Sequence, residues 1–373
     1  MFKAPSRQGA LFVLMSRRNG EVETSRTRSS LVTACPAGLW FASPIMVIQD
    51  FRKVAGMAHR VLVTGGSGFL GRGLAMALRR DGYEVVLGAR NHEANADAKR
   101  ETGCLAVPLD VARPESVRDV IGEYRPHVVV HCAASKRVQY SQLHPMECVD
   151  TNVGGSQNVA RAAAEYGVSR MLAVSTDKAA GAPRSVYGTS KALMERMLCA
   201  LDARGETRFA CVRLGNLAWS TGSVLPEWLR MRRETGVIST TGADMYRFFI
   251  SRAEAVAILV SVLERFDDLR GGVFVPAMSA TRMRDLLEAF VDEHGGRCER
   301  APPRPGDSPG ETLLAAGEVA HAKATEHGWV LHFDGEARTT PGKALTTDTA
   351  PRLTRPELRS LVRGAGSPLA APS

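Results

Sequence analysis

The seven cysteines (Cys35, Cys104, Cys132, Cys148, Cys199, Cys211 and Cys298) include no Cys-x-x-Cys pair, and none of the nine histidines stands in a cluster at metal-ligand spacing. A zinc site and a disulfide framework are therefore excluded, and a reducing compartment, the cytoplasm, is expected. No internal repeat is present. The longest uncharged stretch, Leu31 to Ile48, is broken by Pro36, Gly38 and Pro44, which argues against a membrane-spanning helix. It also lies too far from the N-terminus to be a signal peptide. Nucleic-acid binding has no support beyond the basic N-terminal patch (Arg17, Arg18, Arg26, Arg28), which lacks interleaved aromatics. The net charge is +9, but the first 56 residues hold eight Lys/Arg against three Asp/Glu. The remaining mild excess suits an anionic small molecule. What the chain does have is 373 residues, 44% hydrophobic and 23% charged, enough for a large α/β domain with a smaller companion and no need of disulfides.

Residues 1–56 show no sustained period and read as a poorly ordered extension, with Met57 as a candidate functional start. From His59 the pattern changes. Short apolar runs (Val61 to Val63, Glu84 to Leu87, Leu105 to Pro108, His127 to His131, Met171 to Ser175, Ala210 to Leu214) are separated by amphipathic segments such as Leu70 to Arg80 and Thr151 to Glu165. Strand and helix in alternation predict a Rossmann-like, doubly wound parallel sheet, and runs without polar alternation predict strands covered on both faces. This domain spans 57–215 and is completed by about 250–278, with a helix near Arg252 to Arg265 and a strand Gly272 to Pro276. A Pro/Gly-punctuated stretch to Thr241 opens a smaller C-terminal substrate-binding lobe, 216–249 and 279–345. Residues 346–373 read as a tail.

Three constellations carry chemistry. Gly65-Gly66-Ser67-Gly68-Phe69-Leu70-Gly71 lies between the first strand and a helix, where glycines let backbone N–H groups approach a pyrophosphate at a positive helix end; a turn needed only for packing is the plainer alternative. After the second strand comes Arg90, where a dehydrogenase using NAD would place an acid. That favours NADP through its 2′-phosphate, with NAD as the alternative and a solvated surface arginine as the plain reading. Asp110-Val111 follows the third strand, where the acid can meet an adenine amino group or cap the next helix. Tyr187 and Lys191 are one helical turn apart, a phenol and an ammonium able to exchange a proton with a sugar hydroxyl and hold the nicotinamide ribose. Thr176-Asp177-Lys178 ends the fifth strand. An adjacent acid and base could remove a C5 proton and assist loss of a C6 hydroxyl from a 4-keto sugar; a strand-end salt bridge or helix cap is the alternative.

The chain resembles the inverting UDP-N-acetylglucosamine 4,6-dehydratases of polysaccharide biosynthesis, within the extended short-chain dehydrogenase/reductase superfamily. The resemblance covers about 58–314. It rests on His131-Cys132-Ala133-Ala134-Ser135-Lys136, Pro145-Met146-Glu147 through Thr151-Asn152, Ser175-Thr176-Asp177-Lys178-Ala179-Ala180, Val212-Arg213 through Gly215-Asn216, Gly222-Ser223-Val224-Leu225-Pro226, Arg247-Phe248-Phe249-Ile250, Phe274-Val275-Pro276, and Arg304-Pro305-Gly306-Asp307 with Glu311. It implies an NADP-dependent enzyme that oxidises C4 of a UDP-sugar, eliminates the C6 hydroxyl with Lys178 as base and Asp177 as acid, and returns the hydride to C6 with inversion at C5. Thr176 would bind near C4, Ala133 and Ala134 would line the cofactor, Lys136 would lie near the sugar, Asn216 and Arg304 would contact the diphosphate, Glu311 would be a further substrate contact, and Arg247 would serve the uracil or phosphates or else pack the lobe. A homo-oligomer is expected, with no metal and no stable membrane insertion. This chain departs from the family pattern in a loop one residue longer between Lys178 and Tyr187, in Ser135, Ser308 and Gly310, and in Ala218-Trp219, which places a bulky side chain near the substrate. A 4-epimerase or 4-reductase, or a non-catalytic NADP-binding protein, are the competing readings.

Overall fold

The computed structural model describes residues 59–301, 308–338 and 342–364. The expected start at Met57 and the proposed contact Arg304 lie outside them. Six apolar runs form strands β1 (Arg60–Thr64), β2 (Glu84–Ala89), β3 (Leu105–Pro108), β4 (Val128–His131), β5 (Arg170–Thr176) and β6 (Arg208–Leu214). They lie in the order β6-β5-β4-β1-β2-β3, every pair parallel. The connecting helices are α1 (Phe69–Arg80), α2 (His92–Thr102), α3 (Pro114–Tyr124), α4 (Val138–Leu143), α5 (Pro145–Val149), α6 (Gly155–Glu165) and α7 (Val186–Asp202). Leu62, Val63, Val129, Leu172 and Val212 are fully buried, as expected of strands covered by helices on both faces. The fold is thus a Rossmann-like doubly wound sheet. Because the strands run one way, Thr64, Ala89, Pro108, His131, Thr176 and Leu214 share one edge, and the chain order reverses between β1 and β4, where such sheets open a crevice.

The helix expected from Thr151 is preceded by α5 and a π-helical turn, Asp150–Gly154. Ser156 Oγ donates to the Asn152 carbonyl at 2.6 Å, a side-chain bond that competes with the helical ladder.

Beyond residue 215 come β7 (Asn216–Leu217), α8 (Val224–Thr235), β8 (Val237–Thr240), β9 (Tyr246–Ile250), α9 (Arg252–Glu264), α10 (Phe266–Leu269), β10 (Val273–Pro276), β11 (Ala280–Arg282), α11 (Met283–His294), β12 (Arg297–Arg300), β13 (Thr312–Leu314), α12 (Ala316–Val319), β14 (Ala322–Thr325), β15 (Gly328–Leu331), β16 (Leu345–Thr346) and α13 (Arg355–Arg363). The stretch that reads as Pro/Gly-punctuated contains α8 and β8. Pro226 falls in the first turn of α8, where its missing N–H costs no helical bond, and Leu225 and Trp228 are buried. Strand β10 joins β6 in parallel, while β15 and β14 add an antiparallel hairpin at that edge. A second hydrophobic cluster gathers Trp228, Ile238, Phe249, Leu286 and Phe290 with Leu358, Leu361 and Val362 of α13. The reading of 346–373 as a tail is corrected to that extent: Thr354 and Glu357 form a capping box, and the apolar face of α13 lies on α11.

Candidate functional site at the carboxyl edge of the sheet

The turn after β1 leaves room only for glycine. Gly65 has φ +67°, and a Cβ there would lie 2.8 Å from the Ala133 nitrogen; a Cβ at Gly71 would lie 2.7 Å from Gly66 Cα. The loop is thereby pressed against both the helix and the segment after β4. Gly68, exposed, precedes α1 with no side-chain cap, and the first turn of α1 carries no acid. Its N–H groups and positive dipole end thus face outward at the sheet edge, the arrangement that holds a phosphate. Phe69 is buried under the Arg252 guanidinium, Leu70 packs against the core, and the Ser67 carbonyl accepts from Arg72 Nε at 2.9 Å. Below the turn, His131 Nδ1 meets Thr64 Oγ1 at 2.7 Å and His131 Nε2 meets Ser156 Oγ at 2.9 Å. Burial, assisted by Lys191, pushes the imidazole down to about 3, so it is a neutral strut. The Ala133 amide donates to Thr64 Oγ1; Ala134 follows it, half-buried.

Arg90 is exposed at the end of β2, beside Asn91, which caps α2. Asp110 accepts from the Ala112 amide at 3.1 Å and does not cap α3, whose N-cap is Arg113. Val111 is buried and its carbonyl accepts from Asn158 at 3.0 Å.

At the end of β5 the chain makes a single 3₁₀ turn, Asp177–Ala179. Thr176 Oγ1 donates to Asp177 Oδ1 at 2.9 Å, and Lys178 Nζ donates to the same oxygen at 3.0 Å. The other oxygen, Asp177 Oδ2, is buried without a hydrogen-bond partner. Lys178 Nζ also reaches Asn216 Oδ1 at 3.4 Å and Glu311 Oε1 at 3.5 Å. Glu311 Oε1 lies 3.4 Å from Arg247 Nε, and Asn216 Nδ2 is anchored on the Phe248 carbonyl at 2.9 Å. Burial disfavours the Lys178 ammonium, but Asp177 and Glu311 more than offset it and hold its pKa above the usual lysine range. The Tyr187 phenol is within hydrogen-bonding reach of Thr176; burial raises its pKa against the pull of Lys178. Lys178 therefore counters part of the rise that burial imposes on the phenol. Lys191 is buried with its ammonium donating to Met194 Sδ at 3.4 Å, and burial brings its pKa down to about 8. Tyr187 and Lys191 stand near the start of α7, whose N-cap Ser185 accepts from the Gly188 amide.

The structure therefore brings Thr176, Asp177, Lys178, Tyr187, Asn216, Arg247 and Glu311 into one cluster. Lys136 is exposed on the loop after β4. That loop is tied down by Asn152, which accepts from the Ser135 amide at 2.7 Å and donates to Ser190 Oγ at 2.9 Å. Trp219 does not point to the cluster. It takes a left-handed backbone, φ +64°, donates from Nε1 to the Leu361 carbonyl at 2.8 Å, and packs edge-on against His294.

Sequence reasoning assigned no role to the buried clamp beneath the site. Arg213 pairs with Glu195 (Nε–Oε1 2.9 Å, Nη2–Oε2 2.8 Å) and with Glu318 (Nη1–Oε2 and Nη2–Oε1, both 2.8 Å), while also donating to the Leu313 carbonyl at 2.8 Å. Glu195 accepts from Ser175 Oγ, next to Thr176, at 2.5 Å. Glu318 accepts from the Gly181 amide of the lengthened loop at 3.4 Å. The available signal was Arg213 itself, an arginine inside an apolar strand run, which demands buried acids. Among the described residues no group of His, Cys, Asp or Glu could hold a metal, and no helix is long and apolar enough to cross a membrane.

The described site is thus a glycine turn at the carboxyl edge of a doubly wound sheet, beside a Thr-Asp-Lys/Tyr cluster. Residues 61–332 match the family of polysaccharide biosynthesis proteins, and the chain belongs to that family. It is 30% identical to the UDP-N-acetylglucosamine 4,6-dehydratase (inverting) of Campylobacter jejuni, over 62% of this chain and 70% of that one. It is 28% identical to the UDP-glucose 4-epimerase of Rickettsia bellii, over 74% and 83% respectively. Among solved structures, Pen from Bacillus thuringiensis superposes with a TM-score of 0.76 at 24% identity, covering 83% of this chain and 98% of that one.

Proposed function

We propose that the protein is an NADP-dependent nucleotide-sugar 4,6-dehydratase acting in the cytoplasm on UDP-N-acetylglucosamine or a related UDP-sugar, with inversion at C5. The observation that carries the reading is the acid–base pair: Asp177 with one buried, unpartnered oxygen, and Lys178 bonded to its neighbour, both beside the Tyr187 phenol. Besides hydride transfer to and from the nicotinamide, a 4-epimerase needs only proton exchange at a hydroxyl, which Tyr187 alone can perform; a second acid and base suit an elimination. The glycine turn and the bare start of α1 fit a pyrophosphate; Arg90 would hold the 2′-phosphate, Asp110 and Val111 the adenine, and Lys191 the nicotinamide ribose. A nicotinamide held there would supply reversible hydride acceptance. Tyr187, aided by Thr176, would take the C4 hydroxyl proton. Lys178 would remove the C5 proton made acidic by the C4 ketone, and Asp177 would give a proton to the departing C6 hydroxyl, so that water leaves. Asn216 and Arg247 would hold the substrate, with Lys136 and Arg304 as further contacts.

The test is incubation of the protein with UDP-N-acetylglucosamine in deuterated water, followed by NMR and mass spectrometry. A 6-deoxy-4-keto product carrying deuterium at C5 is expected. Lys178→Ala should lose that product by roughly a hundred- to ten-thousand-fold while still reducing the nicotinamide. A product that keeps its C6 hydroxyl with C4 inverted would replace this reading with the epimerase.

A further inference from the structure

Glu311 uses one oxygen, Oε1, for two cations: Lys178 Nζ at 3.5 Å and Arg247 Nε at 3.4 Å. All three side chains are largely buried, at 22%, 14% and 12% exposure for Lys178, Arg247 and Glu311. Each cation therefore competes for the same charge in a site of reduced dielectric, where such contacts are strong. Lys178 is faced by Asp177 from its own turn, Tyr187 from α7, Asn216 from β7 and Glu311 from the segment before β13. Arg247, on β9, reaches it only through Glu311. We propose that Glu311 is a positioning residue that holds Lys178 charged, and that Arg247, by sharing the same carboxylate oxygen, weakens that hold and brings the lysine closer to acting as base. The inference rests on the dehydratase reading for its consequence, but the linkage itself is a property of the protein alone.

The arrangement has a physical logic. A lysine base must lose its proton to work, yet Asp177 and Glu311 together keep it charged. Asp177 sits on the adjacent residue and stays fixed. Glu311 is the partner that can be drawn away, because its side chain is not needed to hold its own backbone: the Glu311 amide donates to Thr347 Oγ1 and its carbonyl accepts from the Thr347 amide. Substituting the side chain leaves those bonds in place.

The experiment titrates the Lys178 ammonium by NMR in protein with isotope-labelled lysine, the resonance being assigned by its loss in Lys178→Met. Glu311→Gln should lower the Lys178 pKa by about one to three units, and Glu311→Asp should keep it near wild type. Arg247→Met should move it the opposite way, since it removes a repelling cation and leaves Glu311 wholly to Lys178. An unchanged titration in Glu311→Gln, or a downward shift in Arg247→Met, overturns the proposal. If the titrations shift as stated while no UDP-sugar yields a 6-deoxy product, the linkage stands and the dehydratase reading fails.

Discussion

Lys191 illustrates how a residue can be held at a cost to the fold. Its ammonium is buried with a thioether as its hydrogen-bond partner, and burial lowers its pKa from 10.5 to about 8. Between those values the unfolded chain binds the extra proton, so stability rises with pH through that window and the full penalty applies below it. Lys191→Met in cofactor-free protein should therefore be more stable than wild type at pH 7, by about 1–3 kcal/mol. The gap should close as the pH approaches 10.5, and thermal denaturation across that range measures it. Trp219 is a second such residue: a bulky side chain in a left-handed backbone conformation costs on the order of 1–3 kcal/mol, against which stand its hydrogen bond to Leu361 and its contact with His294. Its neighbours come from α11 and α13, far along the chain, so its direction could not be read from the residues beside it.

At the scale of elements, the β1–α1 turn shows what local sequence can encode. Gly65 combines a positive φ with a Cβ direction blocked by the Ala133 backbone. Gly65→Ala should lower stability by about 1–3 kcal/mol and abolish cofactor binding, which a dye-free fluorescence titration with NADPH would detect. The glycine pattern and the six apolar runs were legible because each is short-range: a strand's burial is written in its own composition. The π turn at Asp150–Gly154, the β14–β15 hairpin and α13 were not. The first accompanies a side-chain bond from Ser156 to a carbonyl, and the others are short elements whose reason for folding is the surface they cover. The pairing of Lys178 with Glu311 was invisible for the same reason. Both residues were singled out, but nothing in their spacing of over a hundred positions places one beside the other.

For the whole molecule, Arg213 joins parts that the chain keeps apart. It links β6 to α7 through Glu195 and to α12 through Glu318, with Leu313 of β13 also bound. Arg213→Met should cost about 3–5 kcal/mol, because two carboxylates stay buried without their cation. Replacing Glu195 and Glu318 by Gln in the same protein should recover part of the loss, as read by chemical denaturation. Activity should fall further than stability alone explains, since Ser175 and the segment carrying Glu311 are both tied to the clamp.

The separation of Arg213 from Glu318 is 105 residues, and that distance has a bearing on synthesis. Strands β1 to β6 and Glu195 leave the ribosome well before Glu318, the second acidic partner of Arg213, exists. A nascent chain can thus assemble the β1–α1 glycine turn while Lys178 still lacks Glu311 and the lengthened loop still lacks Glu318. The reactive half of the crevice is finished late, when the last third of the polypeptide returns to lock it.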